Sequence, residues 1–97
     1  MATFIGLFNF TEQGIRNIKD TTKRAAAFGK AAQKAGCEVR EFFWTLGGYD
    51  GFLVLDAPDE ETAAALFAGL GRLGNVRTQT LRAFGPDEMQ SILAKLK

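Results

Sequence analysis

The hydrophobic positions of this chain change period several times, and each change marks an element. Thr3 to Phe10 is rich in β-formers and almost uncharged. Phe4, Gly6, Phe8 and Phe10 fall on one side of a strand and Ile5 and Leu7 on the other, so both faces are apolar and both are predicted to be covered. Thr11 follows as an N-cap with Glu12 in the first turn, and Ile15 and Ile18 are at helical spacing. Asp20-Thr21-Thr22 offers a second cap for a main helix from about Thr22 to Lys34. Gly36 closes that helix. Ala25, Ala26, Gly29 and Ala32 form a small-residue stripe expected to lie close to the sheet.

Cys37 to Leu46 reads as a second strand. By strict alternation Arg40, Phe42, Trp44 and Leu46 share one face, and Val39, Glu41, Phe43 and Thr45 the other. A glycine-rich turn, Gly47-Gly48-Tyr49-Asp50-Gly51, joins it to a third strand from Tyr49 to Ala57, apolar on both sides at Phe52-Leu53-Val54-Leu55. Pro58-Asp59-Glu60-Glu61-Thr62 is a helix start, and Ala63, Leu66, Phe67 and Leu70 continue it at i, i+3, i+4, i+7 as far as Gly71 or Gly74. Asn75 to Phe84 is a fourth strand with the polar middle Arg77-Thr78-Gln79-Thr80. Gly85-Pro86 breaks it. A last helix starting at Asp87-Glu88 carries Met89, Ile92, Leu93 and Leu96 on one side.

The order is strand–helix–strand twice, plus a terminal helix. Two such units interleave as a ferredoxin-like βαββαβ fold, an α+β architecture with a four-stranded antiparallel sheet and helices on one face. Helices on one face leave the other bare, yet the first and third strands, which are central in this topology, are apolar on both. A monomer rarely exposes so large an apolar patch. The expected cover is a second copy packed sheet on sheet, a dimeric α+β barrel, with higher oligomers open. Ile5, Leu7, Leu53 and Leu55 are expected to face the helices, and Phe4, Phe8 and Phe52 the partner.

Composition narrows the chemistry. The chain of 97 residues is expected to be a single domain. Lys and Arg total 12 against 11 acids, and no charge run exceeds three residues. With no concentrated basic patch, neither nucleic acid nor a membrane surface is an expected partner. Histidine is absent, which removes the commonest general base, His-based nucleophile pairs and a His-ligated haem. The single cysteine, Cys37, can form no intrachain disulfide, and the apolar start lacks a basic leader, so a cytoplasmic location is expected. No metal and no cofactor are expected.

Four stretches resemble one family. Asn9-Phe10-Thr11-Glu12-Gln13-Gly14, Gly48-Tyr49-Asp50, Ala57-Pro58-Asp59-Glu60-Glu61-Thr62-Ala63, and Gly74-Asn75-Val76-Arg77-Thr78 with Leu81-Arg82-Ala83-Phe84 together resemble the GYD-domain family of bacteria and archaea, across nearly the whole chain. The resemblance implies the dimeric α+β barrel and supplies no catalytic residue. Wider barrel relatives include haem peroxidases, whose iron-bound histidine this chain lacks, and cofactor-free monooxygenases with pockets of Trp, Tyr, Asn and Arg. They also include the effector-binding half of leucine-responsive regulators.

Candidate ligand-binding residues are Asn9, Trp44, Tyr49, Asp50, Thr78 and Arg82. Trp44 and Tyr49 have large rings with polar tips. Asp50 is an acid between apolar strands that can cap backbone N–H groups or act at a barrel mouth. An arginine such as Arg82 facing a cavity binds a carboxylate, and Thr78 and its neighbours can form a polar wall. Gly48 to Leu55 partly matches the third strand of the RNA-recognition motif, but Asp50 interrupts the pattern and no base precedes Gly48, so RNA is not expected. The function expected is a small homodimeric module that binds or senses a small molecule. A cofactor-independent monooxygenase or isomerase, and a purely structural assembly protein, are the alternatives.

Overall fold

The computed structural model describes residues Met1–Lys97. Its elements are β1 (Ala2–Phe10), α1 (Glu12–Arg16), a 3-10 turn (Ile18–Asp20), α2 (Thr21–Lys34), β2 (Glu38–Trp44), β3 (Gly51–Ala57), α3 (Glu60–Arg72), β4 (Val76–Ala83) and α4 (Pro86–Leu93). The four strands form one antiparallel sheet in the order β2-β3-β1-β4. This is the ferredoxin-like α+β arrangement, with β1 and β3 at the centre.

Helix boundaries follow local chemistry. The Thr11 side chain accepts from the Gly14 N–H and Asp59 from the Thr62 N–H, each satisfying a first-turn donor. Asp20 occupies the N-cap of α2 without a side-chain hydrogen bond. Gly36 and Gly74 follow α2 and α3 at φ 77° and 89°, the left-handed conformation that ends helices. Glu88 reaches back to accept from the Gly85 N–H at the start of α4. Pro86 sits in the first turn, where its missing N–H costs nothing.

The core lies between the sheet and the paired helices α2 and α3. Phe4, Leu53, Leu55, Phe28, Ala32, Ala63 and Phe67 are buried there, with Cys37 and Ala57 at its edge. Phe28 of α2 and Phe67 of α3 stack at 6.0 Å between ring centres. Phe67 lies directly over Gly6, where a Cβ would stand 2.5 Å from the ring. That close approach brings α3 down onto β1.

The assignment of faces differs from the expectation. β1 pairs with β3 so that Phe4 faces Leu55, Gly6 faces Leu53 and Phe8 faces Gly51. Residues opposite one another in an antiparallel pair share a face, so the aromatics of β1 and the leucines of β3 both point to the helices. Ile5, Leu7, Phe52 and Val54 form the other face. A division into aliphatic and aromatic sides is therefore incompatible with the register. Strict alternation also fails in β2. A bulge at Arg40 shifts the register between Val39 and Glu41, so Val39 joins Phe42 and Trp44 on the helix side. The small-residue stripe of α2 packs only in part. Its Ala32 is buried beside Phe28, whereas Ala26 is exposed and a Cβ at Gly29 would meet nothing within 4 Å.

Helix α4 stands apart. None of its residues is buried, and Met89 and Leu93 are each 44% exposed. The molecule is accordingly long and thin, 51 × 31 × 19 Å. No helix is long and apolar enough to cross a membrane.

Candidate functional site

The glycine turn is a wider loop than a two-residue hairpin. β2 ends at Trp44 and β3 begins at Gly51. Thr45 closes the loop: its N–H donates to the Asp50 carbonyl at 2.9 Å and its hydroxyl to the Tyr49 carbonyl at 2.7 Å. Of its glycines only Gly47 takes a positive φ, 109°. Gly51 answers a different need, because a Cβ there would come within 2.3 Å of the Phe8 ring and 2.5 Å of the Phe43 carbonyl.

Asp50 extends the β1–β3 ladder beyond the last residue pair. Its N–H donates to the Phe8 carbonyl and its carboxylate accepts from the Phe10 N–H, at 2.9 and 2.8 Å. The side chain thus satisfies a strand donor on β1, not a donor of its own loop. Tyr49 reaches across β1 to β4, where its hydroxyl meets the Gln79 side chain at 2.6 Å. Asn9 lies opposite Arg77 at the same end of the sheet.

The other three candidates lie on the helix side of the sheet. Trp44 stacks on Phe42 at 4.9 Å and donates its indole N–H to Thr21 of α2 at 3.0 Å. Thr78 lies opposite Phe8, and Arg82 opposite Phe4. Arg82 sits over Phe84 at 4.5 Å and Phe4 at 5.6 Å, and pairs with Glu88 at 3.2 Å. The Gly85 N–H, and then Arg82, hold the Glu88 carboxyl below the usual carboxylate range. The six residues therefore divide: Asn9, Tyr49 and Asp50 gather at the glycine-turn end of the sheet, whereas Trp44, Thr78 and Arg82 are separate positions on its helix side.

Cys37 is buried at the core edge, and burial, then the nearby Asp59 charge, push its thiol pKa up. A raised thiol pKa lowers the thiolate fraction, so Cys37 is a packing residue with little nucleophilic character. No three His, Cys, Asp or Glu side chains cluster as metal ligands.

Three surfaces remain. The first is the open sheet face, where no helix packs. Ile5 lies opposite Val54 and Leu81, Leu7 opposite Phe52 and Gln79, and Phe43 stacks on Phe52 at 5.5 Å. Phe43 is 51% and Leu81 42% exposed. Polar groups close both ends: Tyr49 with Gln79 at one, and at the other Asp56, which accepts from the Thr3 hydroxyl at 2.7 Å and pairs with Arg40 at 3.3 Å. The second is an apolar groove of about 360 Å³ between α2 and α3, floored by Phe8, Phe42 and Leu53. The third is a recess of about 430 Å³ on the other side of α3, bordered by Phe4, Thr80 and Arg82. Arg82 is the one sequence candidate in either cavity. Sequence reasoning missed the Thr3–Asp56–Arg40 cluster, which needed the bulge at Arg40. It also missed the groove, whose two walls come from helices separated by two strands.

Two of the motif stretches meet in space. The Thr11 N–H donates to the Asn75 carbonyl at 3.0 Å, its hydroxyl donates to the Gly74 carbonyl, and the Gln13 amide donates to Leu73 and Asn75 at 3.1 and 3.0 Å. Gly14 is pressed onto this clasp, since a Cβ there would lie 1.9 Å from the Asn75 carbonyl oxygen. The stretch after β1 and the stretch before β4 are thus one structural unit.

Known proteins are similar to this chain. A relative from Thermus thermophilus, "Glutamine synthetase and cystathionine beta-lyase binding protein", is 30% identical over 98 residues, covering the whole of both chains. The crystal structure of TTHA0845, also from Thermus thermophilus, is similar with a TM-score of 0.56 and 26% identity, over 88% of this chain and 95% of that one. Residues 4–93 match the GYD domain, so the clasp, the glycine turn and the sheet they frame are those of a member of the GYD-domain family.

Proposed function

We propose that this chain is a homodimeric binding module that engages a partner protein. The observation that carries the proposal is the open sheet face, an apolar centre of Ile5, Leu7, Phe52 and Val54 flanked by Phe43 and Leu81 and closed by polar groups at its ends. An apolar centre with a polar rim is the anatomy of a protein interface. Because the face belongs to one chain, its simplest complement is the same face turned about a two-fold axis, with the sheets about 10 Å apart. Stable dimers bury about 800 Å² per partner, and a four-stranded sheet face is of that order. Tyr49, Asp50 and Asn9 then lie on the rim of the interface, and the helices face outward.

That the working unit binds a protein is supported by the full-length relative, which is named for binding glutamine synthetase and cystathionine beta-lyase. The dispersal of the polar candidates also favours binding over catalysis. Each of Trp44, Tyr49, Asp50 and Arg82 is already hydrogen-bonded or ion-paired to its own fold, and of the four only Arg82 borders the groove or the recess.

Sedimentation equilibrium tests the assembly. The wild type should sediment at twice the chain mass and Val54→Lys at the chain mass, with unchanged far-UV circular dichroism. A wild type that is monomeric at high micromolar concentration would overturn the dimer. Biolayer interferometry with purified glutamine synthetase and cystathionine beta-lyase from the chain's own organism tests the partner. Binding of the wild type to either enzyme supports a protein partner, and silence with both removes this pair as the target.

A further inference from the structure

We infer that the groove between α2 and α3 is a binding site for a small amphipathic carboxylate, an apolar tail carrying one acid group. This goes beyond the dimer reading and does not depend on it, because the groove opens on the side of the sheet away from the proposed interface. Phe8, Phe42 and Leu53 form the floor, Phe28 of α2 and Leu66 and Leu70 of α3 the walls. Its volume of about 360 Å³ falls in the range of ligand pockets, which are mostly apolar with a few placed polar groups.

The charged groups at this groove are of one sign. Arg24 and Arg72 border it, and no Asp or Glu does. Neither arginine has a carboxylate partner, since the ion pairs of the molecule are Arg40–Asp56 and Arg82–Glu88. Arg24 is oriented by the carbonyls of Asn17 at 2.8 Å and Gly14 at 3.5 Å, which hold the guanidinium without cancelling its charge. Thr21, also at the groove, already accepts from the Trp44 indole, so its hydroxyl proton is available to an incoming acceptor. Two uncompensated guanidinium groups beside an apolar floor select an anion with a hydrophobic body over a neutral lipid or a cation. A partner helix is the poorer fit, because a cavity of this volume holds a small molecule and not several helical turns.

The chain carries its own reporter. Trp44 is the only tryptophan, it bonds to Thr21, and it stacks on Phe42 at the floor. Titration with octanoate, and with 1-octanol as the uncharged control, should change Trp44 emission saturably, with octanoate favoured by about tenfold. Arg72→Gln, an exposed substitution, should remove most of that preference and leave octanol binding as it was. Gly69→Leu should block both ligands, because Gly69 borders the groove and a Cβ there meets nothing within 4 Å. Arg16→Gln, an exposed arginine that does not border the groove, should leave octanoate binding unchanged. No emission change and no calorimetric heat with millimolar octanoate would overturn the proposal. Equal binding of octanoate and octanol, loss of binding in Arg16→Gln, or an acidic helical peptide that binds this groove where octanoate does not, would each overturn it too.

Discussion

Single residues in this chain act mainly by what they allow the backbone to do. Gly14 is an example, since the Asn75 carbonyl occupies the space a side chain would take. Gly14→Ala should therefore lower unfolding stability by about 3 kcal/mol, the upper end for overpacking, measured by urea denaturation. Asp50 acts through a single oxygen on the Phe10 N–H. Asp50→Ala strands that donor and should cost about 1–2 kcal/mol. Asp50→Asn keeps an acceptor and should cost less. Equal costs would show that the negative charge, which both variants lack, and not the hydrogen bond, is what the turn requires.

The elements divide into a packed pair and an outlier. α2 and α3 meet the sheet through Phe28 and Phe67, which stack on one another above Gly6. Phe67→Ala should cost about 3–5 kcal/mol, because the backbone beneath it has no side chain to fill the gap. The starts of α3 and α4 are tied to pH. The Thr62 N–H holds the Asp59 carboxyl below the usual range, as Gly85 and Arg82 do for Glu88. In the folded state these groups release protons more readily than in the unfolded chain. Their stabilisation is therefore complete above the usual carboxylate range and fades as pH falls through their lowered values. Urea midpoints taken from about pH 7 down to about pH 3 should decline at the acid end, and Asp59→Asn should decline less. Asp59 is exposed and Glu88 partly exposed, so salt should weaken the trend.

For the whole molecule the governing fact is a sheet with one covered face. Only 14 of 97 residues are buried, and Phe43, Leu81, Met89 and Leu93 are exposed. If a second copy supplies the missing cover, folding and association are linked, and the melting temperature should rise with protein concentration. A tenfold dilution should lower it measurably in the wild type and leave Val54→Lys unmoved. Because the centre of the proposed interface is apolar, high salt should not dissociate the dimer. Dissociation by salt would shift the weight to the Arg40–Asp56 end.

Local patterns in the sequence determined much of this protein. The turn and cap residues Thr11, Gly36, Asp59 and Gly74 marked the helix ends, and the order of elements led to the ferredoxin-like sheet and the bare second face, because those signals act within a few residues. The family was legible from four short stretches for the same reason. Which face was which was not. Phe4 and Leu55 are 51 residues apart, and only pairing across the sheet puts them on one side. The Arg40 bulge, which reverses Val39, carries no local mark. The gathering of Asn9, Tyr49 and Asp50, the separation of Trp44, Thr78 and Arg82, and the groove between α2 and α3 are likewise tertiary outcomes. They depend on how strands and helices distant in sequence come to lie side by side, and a linear pattern does not encode that proximity.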